Sequence, residues 1–298
     1  MLFRSEAIKL LKSQSASAKS ADARKINVAL AAALYESGDI ELAEEKFTML
    51  YKEQPDDSAT VLAHAQALKK NRRWPELADR IVGWYKSHPQ NTTTLLLVIE
   101  GLAISQENGA KQAAESILRM VIDIDPDCVD ALSSLGVLLH MSGNSVDAAG
   151  LYERVLELDP DRITVLNNLA WILCEKQGEC ERSLELVKRG LAQNPNYVDL
   201  IDTRGTVYYQ LGWYDKAVED FTKCTKLYLR RAPAVVGSYF RLGKALQQLE
   251  RNSEAISNLK KSLELDMQIG GLSPADTAEA QRLLTELSEK SNNVSVTN

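Results

Sequence analysis

Glycine and proline are scarce in this chain, 15 and 8 residues in 298, and cysteine is scarcer still at 4. So few helix breakers, beside 45% hydrophobic and 26% charged residues, give the composition of a soluble, folded, helix-rich protein with disorder confined to its ends. Basic charge is not in excess: the formal net charge is −6 and the isoelectric point is near 5.3. This argues against a broad nucleic-acid surface, which needs clustered Lys and Arg to release phosphate counterions. The one basic cluster, KKNRRW from Lys69 to Trp74, reads as a solvated turn. Long apolar runs are also missing. Nothing approaches the ~20 consecutive apolar residues that span a bilayer, so no membrane insertion is expected. The opening MLFRSEAIKLLKSQSASAKS has too many charges among its apolar residues for a secretory signal core, and reads as an amphipathic leading helix in preference to an organelle transit peptide.

Chemistry-bearing patterns are equally thin. Cys128, Cys174, Cys180 and Cys224 form no CxxC pair and have no His at zinc-finger spacing, so free thiols in a reducing cytoplasm are expected. The three histidines, His64, His88 and His140, are scattered, and HExxH, GxSxG and GxGxxG are absent. The segment GSYFRLGKA (237–245) has five residues between its glycines where a phosphate loop has four, and lacks the Ser or Thr after Lys244. In DIDPDC (123–128) three aspartates have calcium-loop spacing, but Cys128 stands where the turn glycine belongs and Ser134 where the bidentate acid belongs. No enzyme activity, no metal and no cofactor are expected.

What the chain has instead is internal period. VDALSSLGVLLHMSGNSVDAAGLYERVLELDPDR (129–162) aligns with VDLIDTRGTVYYQLGWYDKAVEDFTKCTKLYLRR (198–231): Gly136 matches Gly205, Gly143 matches Gly212, Ala148 matches Ala217, and Tyr152 matches Phe221. The frame extends to 24–57 (Gly38, Ala43, Phe47, Pro55), to 58–91 (Ala65, Pro89), and to 95–128 (Gly109, Ala114, Pro126) after three extra residues. It continues through 163–197 (Ala170, Pro195) with one insertion and, after a four-residue spacer, through 236–269 (Gly243, Ala255). In the fourth unit Leu132, Leu135, Gly136 and Leu139 share one helix face, as do Ala148, Leu151, Tyr152, Val155 and Leu156, so two stripes bury each other. Pro55, Pro89, Pro126, Pro160 and Pro195 each close a second helix, because the residue before proline resists the helical conformation.

These residues resemble the tetratricopeptide repeat (TPR) family, over about residues 24–269. Departures are Leu77 and Ser183 at the second-helix alanine, and a missing closing proline in the sixth and seventh units, which are expected to be less regular. The resemblance implies an all-α fold: a right-handed superhelical solenoid of about seven helix-turn-helix units with terminal capping helices. Residues 1–23 form an N-terminal helix and Ser/Ala-rich lead-in, 273–290 a capping helix starting at Ser273 and Pro274, and 291–298 a disordered tail.

Two adjacent asparagines in VLNNLAWILC (165–174) raise the question of a site. Leu166, Leu169, Ala170 and Leu173 form the packing stripe, and Asn168 lies off it with Thr164, Trp171 and Glu175. Burying an unpaired amide costs ~1–3 kcal/mol, so the amides are expected to face outward. In the family that the chain resembles, first helices line the concave surface. This places Asn167, Asn168, Trp171, Thr203, Tyr209, Phe240, Arg241 and Lys244 in a groove that binds a peptide or protein segment. A clamp for a chaperone's terminal carboxylate, which uses Lys, Asn and Arg side chains, is incomplete, since Trp171, Thr203 and Gly237 occupy three of its places. The implied function is a non-catalytic protein-interaction scaffold. The alternatives are a TPR subunit of bacterial envelope or exopolysaccharide secretion, whose arrays the C-terminal units resemble, and a regulatory subunit of an enzyme complex. A cytoplasmic location is expected, or a periplasmic one if the chain is part of an exported protein.

Overall fold

The computed structural model describes residues 2–17, 21–105, 107–228 and 232–296. Among them there are sixteen α-helices and no strand. The chain divides into two compact halves, Met1–Leu151 and Tyr152–Asn298. In the N-terminal half α1 (Leu2–Ser17) packs on α2 (Ala21–Ser37), and helical hairpins follow. α2 pairs with α3 (Ile40–Glu53), α4 (Ser58–Lys70) with α5 (Trp74–Ser87), and α6 (Thr92–Ala103) with α7 (Asn108–Ile124), before α8 (Val129–Met141). First helices adjoin one another, α2 with α4, α4 with α6 and α6 with α8, while α5 lies against α7. α9 (Ser145–Leu158) crosses the division. The C-terminal half repeats the scheme: α10 (Ile163–Gln177) pairs with α11 (Cys180–Gln193), α12 (Val198–Gln210) with α13 (Tyr214–Leu227), and α14 (Pro233–Gln248) with α15 (Asn252–Ile269). α16 (Pro274–Val296) packs on α15.

The second-helix position read from the repeat is fully buried in every unit. Ala43, Leu77, Ala114, Ala148, Ser183, Ala217 and Ala255 are each 0% exposed. The two departures are accommodated locally, and the Ser183 hydroxyl donates to the Ala170 carbonyl on the facing first helix at 2.6 Å, so a polar atom is buried without loss of a partner. On the first helices a side chain would collide: a Cβ added to Gly205 would lie 2.7 Å from the Phe221 ring, and one added to Gly243 would lie 2.8 Å from Leu259.

Helix ends follow from local chemistry. α3, α5, α7, α9 and α11 stop at Glu53, Ser87, Ile124, Leu158 and Gln193, each two residues before a proline. Without a proline, α15 runs for 18 residues, to two left-handed glycines, Gly270 and Gly271. The extra residues near 92–94 lie inside α6, because the Asn91 side chain accepts from the Thr94 backbone N–H and hydroxyl and starts the helix at Thr92. The turn after Ala103 is lengthened instead. At the C-terminus Ser273 caps α16, its Oγ accepting from the Asp276 backbone N–H at 3.1 Å. That helix continues to Val296, past the expected end at 290, since SNNVSVTN contains neither proline nor glycine to stop it; the last two residues of that stretch lie outside the described residues.

The expectation of four free thiols is corrected. Cys174 and Cys180 are joined by a disulfide, while Cys128 and Cys224 are free and buried. Cys174 ends the apolar run of α10 and Cys180 opens α11, and Gly178, left-handed at φ +75°, folds the short turn so that the two sulfurs meet.

Candidate functional site

α10, α12 and α14 are first helices lying side by side in the C-terminal half, and all eight residues anticipated for the site are on them. Their surroundings separate them into two groups. Asn167, Asn168 and Thr203 hold the structure together: Thr203 is buried and its hydroxyl donates to Asn167 Oδ1 at 2.8 Å, tying α10 to α12. Asn168 Nδ2 donates to the hydroxyl of buried Tyr152 at 3.4 Å. Burial pushes the Tyr152 phenol up to about 12, with the Asn168 hydrogen bond pulling the other way. The outward-facing amides expected from the sequence are therefore half-buried and engaged within the chain. They escape the cost of an unpaired amide by finding internal partners instead of facing water.

Trp171, Tyr209, Phe240, Arg241 and Lys244 converge on a cavity of about 230 Å³, which Glu175, Phe221 and Asp276 also line. Phe240 is buried and forms its floor. Lys244 Nζ lies 5.3 Å from the Phe240 ring centroid and 5.6 Å from that of Tyr209, within cation–π range, and Lys176 sits over Trp171 at 5.3 Å. Both cations of the cavity are neutralised. Arg241 Nη2 meets Asp202 Oδ2 at 2.7 Å, and Lys244 Nζ meets Glu279 Oε1 at 2.9 Å. Burial is the largest influence on Arg241 and opposes its charge, yet the pKa is raised, because the charge and hydrogen bond of Asp202, together with Tyr228 and Cys224, outweigh it. The volume falls below the ~300–1,000 Å³ of typical small-molecule sites and matches a side chain better than a cofactor.

Sequence reasoning missed the carboxylates that close this site. Asp202, which also accepts from Ser238, lies one helix back from Arg241, and Glu279 comes from α16, read only as a cap. Gln210 donates to Glu175 at 2.9 Å and joins the rims contributed by α12 and α10. Their spacing along the chain carries no local signal; only the period, which sets equivalent positions on successive first helices side by side, could have paired Asp202 with Arg241.

The N-terminal half has two larger recesses. One of about 660 Å³ is lined by Glu44, Tyr51, Arg73, Arg80, Trp84 and His88. Behind it buried His64 stacks on Phe47 at 4.2 Å, with Nε2 3.3 Å from Glu44 and Nδ1 3.3 Å from the Tyr51 hydroxyl. Burial pulls the imidazole down to about 4, so at neutral pH it is uncharged and its Nε2–H donates to the Glu44 carboxylate. The other, about 550 Å³, lies among Leu62, Lys69, Lys70, Leu97 and Gly101. Every cation of the KKNRRW cluster has an acceptor: Lys69 the Gly101 carbonyl, Lys70 Glu36, Arg72 Glu107 and Arg73 Glu76. Among the described residues no group of three or more His, Cys, Asp or Glu could hold a metal ion, and no helix is long and apolar enough to cross a membrane.

Comparison with known proteins agrees with this architecture. Two family models, each described as tetratricopeptide repeat, match the chain, one at residues 107–163 and the other at 199–230 and 236–268. No curated protein matches the sequence. Among solved structures, a tetratricopeptide repeat protein from Parabacteroides merdae superposes with a TM-score of 0.51 at 17% identity, covering 95% of this chain and 99% of that one. A thermophilic TPR protein from Thermus thermophilus gives 0.47 at 21% identity over 59% of this chain and 92% of that one. MamA 41-end from Desulfovibrio magneticus gives 0.47 at 19% identity over 54% of this chain and 88% of that one. With helical hairpins stacked through both halves and the repeat matched in each, the chain is a tetratricopeptide repeat protein.

Proposed function

We propose that this protein is a non-catalytic scaffold that holds a peptide or protein segment along α10, α12 and α14. The observation that carries this reading is the cavity of Trp171, Tyr209 and Phe240, whose neighbouring cations are already paired. Such a socket offers ring faces with both of its lining cations already paired. It favours one apolar or aromatic anchor side chain on an otherwise extended segment, and indole and phenol rings supply large contact area at low entropic cost. The same pairing disfavours a terminal-carboxylate clamp, because a bound anion would have to displace Asp202 or Glu279.

The test is selection of binders from a random peptide display library on the whole chain, followed by fluorescence anisotropy with the selected peptides. Trp171→Ala is expected to weaken binding at least tenfold, the cost of about 1.4 kcal/mol or more at an interface anchor. Lys69→Ala, on α4, is expected to leave it within twofold. Peptides that bind the Trp171→Ala variant as tightly as the parent would refute the site. The proposed compartment is the cytoplasm. A second reading, a role in an envelope secretion assembly, draws on the Cys174–Cys180 disulfide, since such bonds persist in oxidising compartments such as the periplasm.

A further inference from the structure

We propose that the Cys174–Cys180 bond is a reversible redox modification site that sets the shape of the Trp171–Tyr209–Phe240 cavity. Position carries the argument. Cys174 lies one helical turn beyond Trp171 and next to Glu175, and both of those residues line the cavity. The two bonded cysteines are buried with Leu184 and Val207, and Tyr208 and Leu211 of the α12 end pack against the same cluster. Tyr208 is the chain neighbour of Tyr209, another cavity residue, and the Gln210 to Glu175 hydrogen bond joins the two rims directly. The bond thus ties the end of α10 to the start of α11, and the end of α12, the other helix of the cavity wall, packs on the same cluster.

The reaction is thiol–disulfide exchange. A small thiol attacks Cys174 Sγ and expels the Cys180 thiolate, a second thiol resolves the mixed disulfide, and the products are two protein thiols and one oxidised small-molecule disulfide. Cys180 is the better leaving group, because it opens α11, where helix N-terminal N–H groups favour a thiolate. Residues 176–179 of the turn are exposed and give the route of attack. Two separate thiols need more room than the bonded pair, and a packed cluster accommodates added volume only by shifting its elements. Here those elements are the ends of α10 and α12. The remaining cysteines do not compete: burial drives the Cys224 thiol far above its usual range, and buried Cys128 accepts a hydrogen bond from Tyr85 at 3.4 Å.

The consequence for ligand binding rests on the function proposed above, whereas the consequence for the cavity does not, and the experiment separates them. The chain is labelled with 5-fluorotryptophan, oxidised with glutathione disulfide, and followed by 19F NMR as dithiothreitol is added. Alkylation and mass spectrometry of the unfolded protein are expected to count two free thiols before reduction and four after. The Trp171 resonance, and that of Trp213, whose ring lies 5.6 Å from Tyr208, are expected to move and to return on reoxidation, with Trp74 and Trp84 on α5 as controls. A Cys174→Ser/Cys180→Ser variant is expected to be blind to dithiothreitol; should it fail to fold, the unsubstituted chain still gives the readout. Four alkylatable thiols after glutathione disulfide, or a Trp171 resonance unmoved by reduction, would overturn the proposal. A Trp171 resonance that moves while no selected peptide binds in either state supports the redox site and removes the peptide reading alone.

Discussion

At the scale of single residues, the left-handed turn position separates glycine from everything else. Gly38, Gly143, Gly178 and Gly212 take positive φ between paired helices, and Arg72 and Glu250 hold the equivalent places at φ 56° and 58°. A side chain there costs ~1–2 kcal/mol relative to glycine, partly offset by the greater freedom of glycine in the unfolded chain. Glu250→Gly is therefore expected to stabilise the protein by about 0.5–1 kcal/mol, read as a higher urea midpoint at unchanged slope. His64 makes a pH prediction. Its folded pKa of about 4 lies below the unfolded 6.5, so between those values the unfolded state binds the extra proton, and stability falls as pH drops through that window. The loss approaches ~3 kcal/mol once pH reaches the folded value. Glu44, Tyr51, Arg73 and Arg80 surround the ring, so the decisive measurement is the difference in pH slope between the parent and His64→Gln. Equal slopes would show that His64 does not titrate differently in the two states. Legibility at this scale was uneven. The small positions at Ala43 and Ala217 recur with the period and could be read, whereas the Asn167 to Thr203 bond spans 36 residues and the disulfide depends on one left-handed glycine, neither of which leaves a local pattern.

At the scale of elements, the helices of the fourth unit were visible through their apolar stripes, the other units through the repeat frame, and each second helix that ends before a proline could be stopped from the sequence. The start of α6 was not, because it hangs on the Asn91 side chain and not on a hydrophobic residue. The last helix was understood only by half: it was read as a cap, but its Glu279 proved to be the partner of Lys244. Ala280, Leu283 and Leu287 bury against Ala255 and Leu259, so α16 closes the C-terminal core. Leu287→Ala, at a fully packed position, is expected to cost about 2–4 kcal/mol by transfer and cavity formation, measured by chemical denaturation. A cost below ~0.5 kcal/mol, the range of an ordinary surface change, would mean that α16 does not seal the core.

At the scale of the whole molecule, the fold class was the most legible feature, because seven copies of a weak pattern reinforce one another. The site was less so: the period placed its rings on adjacent first helices, but the neutralising carboxylates of the cavity emerged only from the packed structure. Contacts in a repeat array are local, and stability is approximately a sum of neighbour terms. Residues 145–298 alone are accordingly expected to give a helical circular dichroism spectrum and cooperative urea unfolding, with the hydrophobic clusters around Cys224 and Phe221 intact. A fragment that shows only a coil spectrum would contradict this.

The closeness of the Phe221 ring to Gly205 has a consequence for how such a chain can change over generations. A helix matched to one particular mate cannot be transplanted by itself, since Phe221 set against a first helix with a side chain at that place would collide with it. Recombination within this array can therefore move hairpins whole, and a gene assembled from half-hairpins would encode mismatched seams.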